Sequence, residues 1–313
     1  MIKKKKKFDT RTKADKILDK IIVTIVVLFL ITVLYPLWYV LIASFSTVSE
    51  IAGQTFPLLP SGFTLDSYKL VFENDLIWKS LFNSVVYLII GVTINISMTV
   101  LAAYPLSRDD LKGRGIIIKF LMVTMYLGGG LIPTYLLIKN LNMLNTVWVM
   151  VIPTAVSTYF IIIAISFFRS SVPRELEQAA LIDGCNNTKL LVKIILPISL
   201  PLLGVLMLNY GLGHWNSYTH ALVYLTDRNK FPLQLVLREI LTFTNSQAMT
   251  GMVSASAAGQ AMAGTAGNFD QMLNMQEGIK YVLIVISSAP LLLFYPFLTK
   301  FFAKGMTLGA VKE

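Results

Sequence analysis

The chain has 313 residues, 55% of them hydrophobic and only 14% charged, against the roughly 25% charge of an ordinary water-soluble domain; that deficit excludes a soluble globular enzyme or binding module. The net charge of +10 does not mark a nucleic-acid surface, because nine of the 27 Lys and Arg precede residue 21, where a basic cluster beside a membrane span orients the chain and meets anionic lipid. The single cysteine, Cys185, excludes an internal disulfide and a cysteine-cluster metal site.

Residues 1–20 form this basic tail, and no small-x-small cleavage site follows the apolar stretch after it, so it is not read as a cleavable signal. A bilayer core of about 30 Å takes roughly 20 apolar helical residues. Six charge-free stretches meet that length: Ile21–Phe45, Leu81–Ser107, Phe120–Ile138, Val147–Phe168, Ile198–Leu225 and Tyr281–Thr299. In the third, Gly128, Gly129 and Gly130 with Pro133 loosen the helix, so its backbone must line a cavity or pack on protein. A seventh uncharged stretch, Leu241–Phe269, is too rich in Gly, Ser, Asn and Gln for lipid and reads as part of an external loop. Six spans place both termini on one face. That face carries twenty Lys and Arg, in the tail, 108–119, 169–193 and 300–312, against seven on the other. The positive-inside rule makes the richer face cytoplasmic.

The expected organisation is thus an all-α membrane protein with six transmembrane helices and cytoplasmic N- and C-termini. It has a tail (1–20), a first span (21–45), an extracellular loop (46–79), a five-span core (80–302) and a C-terminal tail (303–313). Within the core lie a cytoplasmic loop, 169–197, and an extracellular loop, 226–279. In the cytoplasmic loop Pro173 suits a helix first turn, and Glu175 and Glu177 complement the N-terminal dipole. Leu176, Ala179, Ala180 and Asp183 recur at three- and four-residue spacing, and Gly184 suits a C-cap. Together with Gln178, these residues describe a polar helix at the membrane surface, a docking element for a soluble partner.

The spacing Ala179-Ala180, three residues, Gly184, nine residues, Ile194-x-Leu196-Pro197 resembles the motif by which type I ABC-transporter permeases engage their ATPase; Gln178 stands where the motif has Glu, with Glu177 one residue earlier. Tyr35-Pro36-Leu37-Trp38, Ala102 to Arg108, Trp215-Asn216-Ser217-Tyr218, Phe231-Pro232-Leu233-Gln234 and the ending Phe301 to Lys312 resemble carbohydrate permeases similar to the maltose system's smaller membrane subunit, in the branch that imports complex oligosaccharides. The resemblance implies the type I ABC importer permease fold in a bacterial cell membrane. It also implies a second related permease subunit, an ATPase dimer, an extracellular solute-binding protein and alternating access. No Gly-x-x-x-x-Gly-Lys-Ser/Thr phosphate loop occurs, so ATP and Mg are expected on the partner ATPase and no cofactor on this chain.

Sugars need hydrogen-bonding groups and aromatic faces, which a membrane tolerates only around a cavity. Asn209, Tyr210, His214, Trp215, Asn216 and Tyr218 cluster within three turns of the fifth span and form the expected substrate path, with Tyr126 and Tyr159 as further candidates. Helix packing and an interfacial aromatic belt are the competing roles for the same residues. His214 and His220 are the only histidines, no His-Glu-x-x-His occurs and no acidic pair lies within a span. Catalytic and metal residues are therefore expected to be absent. A permease for a non-sugar solute, or a polytopic membrane enzyme, is the alternative.

Overall fold

A computed structural model describes residues 12–47, 50–51, 54, 57–242, 278–293 and 296. These residues are mostly helical, and no β-strand occurs among them. The chain divides into two compact units, residues 1–70 with 259–285 and residues 71–258 with 286–313.

In the first unit, α1 (Lys13–Ser44) starts eight residues before the expected span. Its start is fixed by a capping box: the Asp15 amide donates to Thr12 Oγ1 (3.2 Å) and the Thr12 amide to Asp15 Oδ2 (2.9 Å). At 1.5 Å per residue, 32 residues make a helix of about 48 Å, so its basic first turns outreach an apolar core of about 30 Å. Ile42, Ala43 and Ile51 form a small core, and Tyr39 meets Tyr281 edge to face at 6.0 Å. α2 (Asp66–Phe72) follows.

The second unit is built on α3 (Asp75–Ser107), capped by Asn74, whose side chain accepts from the Leu76 amide at 3.0 Å. Its buried stripe, Ser80, Ser84, Tyr87, Gly91, Asn95, Thr99 and Ala103, repeats every three or four residues. Small and hydroxyl side chains at that spacing let neighbouring helices approach closely.

Three of the expected spans are broken rather than continuous. α4 (Arg114–Tyr126) and α5 (Leu131–Asn140) meet at 111°. The triple glycine lies at this break, and Gly130 takes a φ of +81° that few residues adopt. Ahead of α6 (Thr158–Ser171) the chain makes two 3₁₀ turns, Val147–Met150 and Ile152–Thr154, bent 52° from it; Pro153 cannot continue a regular α-helix there. α7 (Arg174–Ile182) lies between α6 and α8 (Asn187–Ile198). The middle of α8, Leu191–Ile195, is a π turn. α9 (Leu200–Trp215) leaves α8 at 82°, with Pro201 in its first turn. The expected fifth span then breaks again at Asn216–Ser217, before α10 (Tyr218–Tyr224).

Among the described residues, two helices are long and apolar enough to cross a membrane, or up to five if each bent pair counts as one span. α11 covers 233–242 and α12 Gly278–Leu293. The expected loop Leu241–Phe269 lies outside the described residues from 243 onward, as does most of the end of Tyr281–Thr299.

α3 packs on α9 and α6. One apolar cluster runs from Val92 to Phe168, Ala180, Leu190, Ile195, Leu206 and Tyr210. A second joins Tyr87, Val149, Met150, Tyr224 and Leu235.

Candidate docking helix and transport cavity

α7 is bounded by the signals its sequence carries. Pro173 is the N-cap and Glu175 and Glu177 lie in the first turn. At the other end Gly184 takes φ +75°. The Cys185 amide donates to Ala180 O and the Gly184 amide to Leu181 O, both at 3.0 Å, which is the Schellman pair of bonds. Ala180 turns inward into the larger apolar cluster. Ala179, Gln178, Glu175, Leu176 and Asp183 are exposed, Glu177 is half-buried, and Ile182 is 86% exposed. The sequence spacing places Ala179 and Ala180 together in one docking element. The structure separates them, so only Ala179 remains available to a partner.

Around this helix is a charged anchor the sequence did not reveal. Asp109, in the loop after α3, forms ion pairs with Arg114 and with Arg174 at the start of α7. Arg108 donates to Asp110 Oδ2 (2.7 Å), to the Tyr104 hydroxyl (3.0 Å) and to Asn187 Oδ1 at the start of α8 (3.0 Å). Arg169 donates to the Ser107 and Leu106 carbonyls. One loop therefore grips the chain on both sides of α7. The Arg114 guanidinium beside Asp109, helped by Arg174 and Arg169, holds that carboxyl below its ordinary range, and Arg108 does the same for Asp110. Exposed pairs contribute little stability; their effect is to fix where α7 begins and where α8 leaves.

A cavity of about 510 Å³ opens beside α9. Asn209, Gly213, Asn216 and His220 follow one another at three- or four-residue steps and all line it, so the face continues across the break between α9 and α10. Phe160 and Tyr210 form an aromatic wall, their rings 4.7 Å apart at 61°, and the Tyr210 hydroxyl is held 2.7 Å from Thr99 Oγ1. His214 closes the back. Asn95 donates from Nδ2 to the Thr154 carbonyl (2.5 Å), which leaves Oδ1 to accept from His214 Nε2 (2.6 Å).

The other expected path residues lie elsewhere. Trp215 is buried, and its Nε1 donates to Ser287 O at 3.1 Å. Tyr218 stacks under the Arg238 guanidinium at 5.2 Å. Tyr126 is 82% exposed at the end of α4, and Tyr159 is exposed, its ring in an edge-to-face pair with Phe160. None of these four lines the cavity. Ser157 and His220 are additions to its lining, while Asn95 and Thr99 hold His214 and Tyr210 from α3; an Asn inside an apolar span was the one available signal. Trp215→Ala should therefore lower the stability of the protein by about 3–5 kcal/mol, the usual cost of emptying a large core site, read as a fall in melting temperature and yield. Unchanged stability with a raised KM would move Trp215 to the substrate.

A helical membrane core with broken spans around a cavity, and a capped helix that presents Ile182, is the design of an ABC-transporter permease subunit. No family model matches the chain. It is 38% identical to the polygalacturonan/rhamnogalacturonan transport system permease protein YtcP of Bacillus subtilis, over 95% of this chain and 99% of that one. It is also 38% identical to Protein LplC of the same organism, covering 96% and 97%. A crystal structure of a bacterial ABC transporter involved in the import of the acidic polysaccharide alginate contains a chain that superposes with a TM-score of 0.80 at 26% identity, covering 94% of this chain and all of that one. The chain belongs to the family of sugar-transport permease subunits of ABC transporters.

Proposed function

We propose that this chain is one of two related membrane subunits of a bacterial, binding-protein-dependent importer of acidic oligosaccharides. ATP hydrolysis, with its Mg, takes place on a separate ATPase dimer that docks at α7. In this reading six spans cross the cell membrane, α1, α3, the three broken pairs counted as one each, and α12 with the residues after it, and both termini are cytoplasmic. The loop 169–197 faces the ATPase, and 46–79 and 226–279 face outside. Sugar moves along the cavity beside α9 by alternating access. The acidic class is supported by the names of the relatives, one a polygalacturonan/rhamnogalacturonan permease and one from an alginate importer.

The observation that carries the mechanism is the continuity of packing between the two sites. Ala180 of α7 and Tyr210 of the cavity wall belong to one apolar cluster, joined through Leu190, Ile195 and Leu206. Close-packed interiors transmit displacement rather than absorb it. The 82° turn between α8 and α9 gives a movement of α7 a short route to the cavity. Reconstitution with the second permease, the ATPase and the binding protein tests this. Oligogalacturonides should stimulate ATP hydrolysis and accumulate in vesicles, and an assembled complex stimulated by no sugar would overturn the reading.

Topology has its own measurement. Cys185 should react with an impermeant thiol reagent only from the cytoplasmic side. In a Cys185→Ser background, Lys139→Cys, on the exposed end of α5, should react only from outside. Reaction of both from one side would overturn the six-span arrangement.

A further inference from the structure

The cavity is lined by a histidine, His220, that lies outside the expected substrate path. Among the described residues no charged side chain lines it, so an acidic or neutral sugar entering from water is met there by neutral donors and acceptors. Most of the polar groups around it are already committed. Asn209 Nδ2 donates to Val205 O at 2.8 Å, the Tyr210 hydroxyl is bound to Thr99, and the His214 ring is fixed by Asn95. His220 differs. Its ring is only partly buried and lines the cavity. Its Nδ1 is sealed in the wall and has no hydrogen-bond partner among the described residues. The Tyr224 ring, 5.6 Å away and tilted by 44°, packs against the imidazole.

A sealed nitrogen without an acceptor is poorly suited to carry a proton, because a buried N–H left unpaired is among the rarest defects in folded proteins. The proton of the neutral ring then belongs on Nε2, the nitrogen the ring can present to the cavity. Asn209 and Asn216 lie on the same face, so the stripe offers a donor beside amides that both donate and accept.

We propose that His220 is a specificity-determining residue of the sugar path, donating a hydrogen bond from Nε2 to an acceptor oxygen, hydroxyl or carboxylate, of the transported oligosaccharide. This rests on the reading of the cavity as that path. It assigns to the ring a defined atom and a defined direction, which a packing role for the same histidine does not.

Glutamine places its amide nitrogen near the position of Nε2, whereas asparagine places it near Nδ1, so the two substitutions separate the roles. In the reconstituted transporter, uptake of trigalacturonate and of its methyl ester would be measured for His220→Ala, His220→Asn, His220→Gln and Asn209→Ala. Loss of one neutral hydrogen bond predicts an apparent KM raised about threefold to tenfold in the Ala and Asn variants. The Gln variant should return toward wild type, with kcat and complex yield retained in all. A larger effect on trigalacturonate identifies a carboxylate oxygen as the acceptor, and an equal effect on both probes identifies a hydroxyl. If His220→Ala leaves KM unchanged while Asn209→Ala raises it, the His220 assignment is wrong and the path stands. Equal loss in Asn and Gln would reduce the ring to packing. If no variant changes uptake of either probe, or wild type transports neither, the cavity reading itself falls.

Discussion

Gly91→Ala should unfold or disassemble the permease, although the same change in an exposed helix is normally stabilising by about 0.5–1 kcal/mol. The sign reverses because a Cβ at Gly91 would lie 2.3 Å from His214 Nε2, 2.4 Å from Cε1 and 2.6 Å from Cδ2, distances that no van der Waals contact permits. The ring has no easy retreat. Its Nε2 is bonded to Asn95, which is bonded in turn to the Thr154 carbonyl. Moving it leaves the buried Asn95 Oδ1 without its donor, at about 1–3 kcal/mol, on top of an overpacking cost of about 1–3 kcal/mol. The melting temperature and yield of the purified complex should both fall sharply. Gly91→Ala combined with His214→Ala should recover much of the loss, since the second change removes the obstructing ring. Wild-type stability in Gly91→Ala alone would show that α3 and α9 do not approach as closely as described.

This contact also shows where sequence reading stops. Hydropathy marked the two long apolar helices, α1 and α3, and the triple glycine marked the break between α4 and α5, because both signals are local. The turn at Ser199 and the 3₁₀ path through Val147–Thr154 depend on what packs around them, and a run of apolar residues looks the same whether straight or bent. Trp215 looks like a sugar-binding group for a related reason, and His214, which lines the cavity, does not hang free in it. A polar or aromatic side chain in a span must find a partner, but its residue type does not say whether that partner is a substrate or the next helix. For His214 the partner is Asn95 on α3, more than a hundred residues away. The charged anchor on α7 was equally hidden, since Asp109 and Arg174 look like ordinary solvated loop charges until the fold brings them together.

α7 gives the sharpest separation between a structural and a docking role, because two positions two residues apart should fail in different ways. Ala180 is buried in the apolar cluster that also holds Leu190, Leu191 and Ile195. Ala180→Glu would force a carboxylate into that cluster, and the permease itself should lose stability and yield. Ile182 is almost fully exposed at the last turn of the helix. Ile182→Glu removes no packing from this chain, and glutamate is a good helix former, so the isolated permease pair should keep its yield and melting temperature. What it should lose is the ATPase. Burying an isoleucine against a partner contributes about 1.5–3 kcal/mol, and a carboxylate in its place adds desolvation. Affinity for the ATPase dimer should fall at least tenfold, with sugar-stimulated hydrolysis and uptake lost together. The measurements are pull-down of the ATPase by the permease pair and hydrolysis in proteoliposomes. Normal ATPase retention by Ile182→Glu would mean that the exposed face of α7 is not where the ATPase sits. A collapse in yield for both variants would mean that Ile182 is buried by this chain or by the second permease. Separate failures, one in folding and one in coupling, would tie α7 to the core through Ala180 and to the ATPase through Ile182, the geometry that lets one short helix pass motion between them.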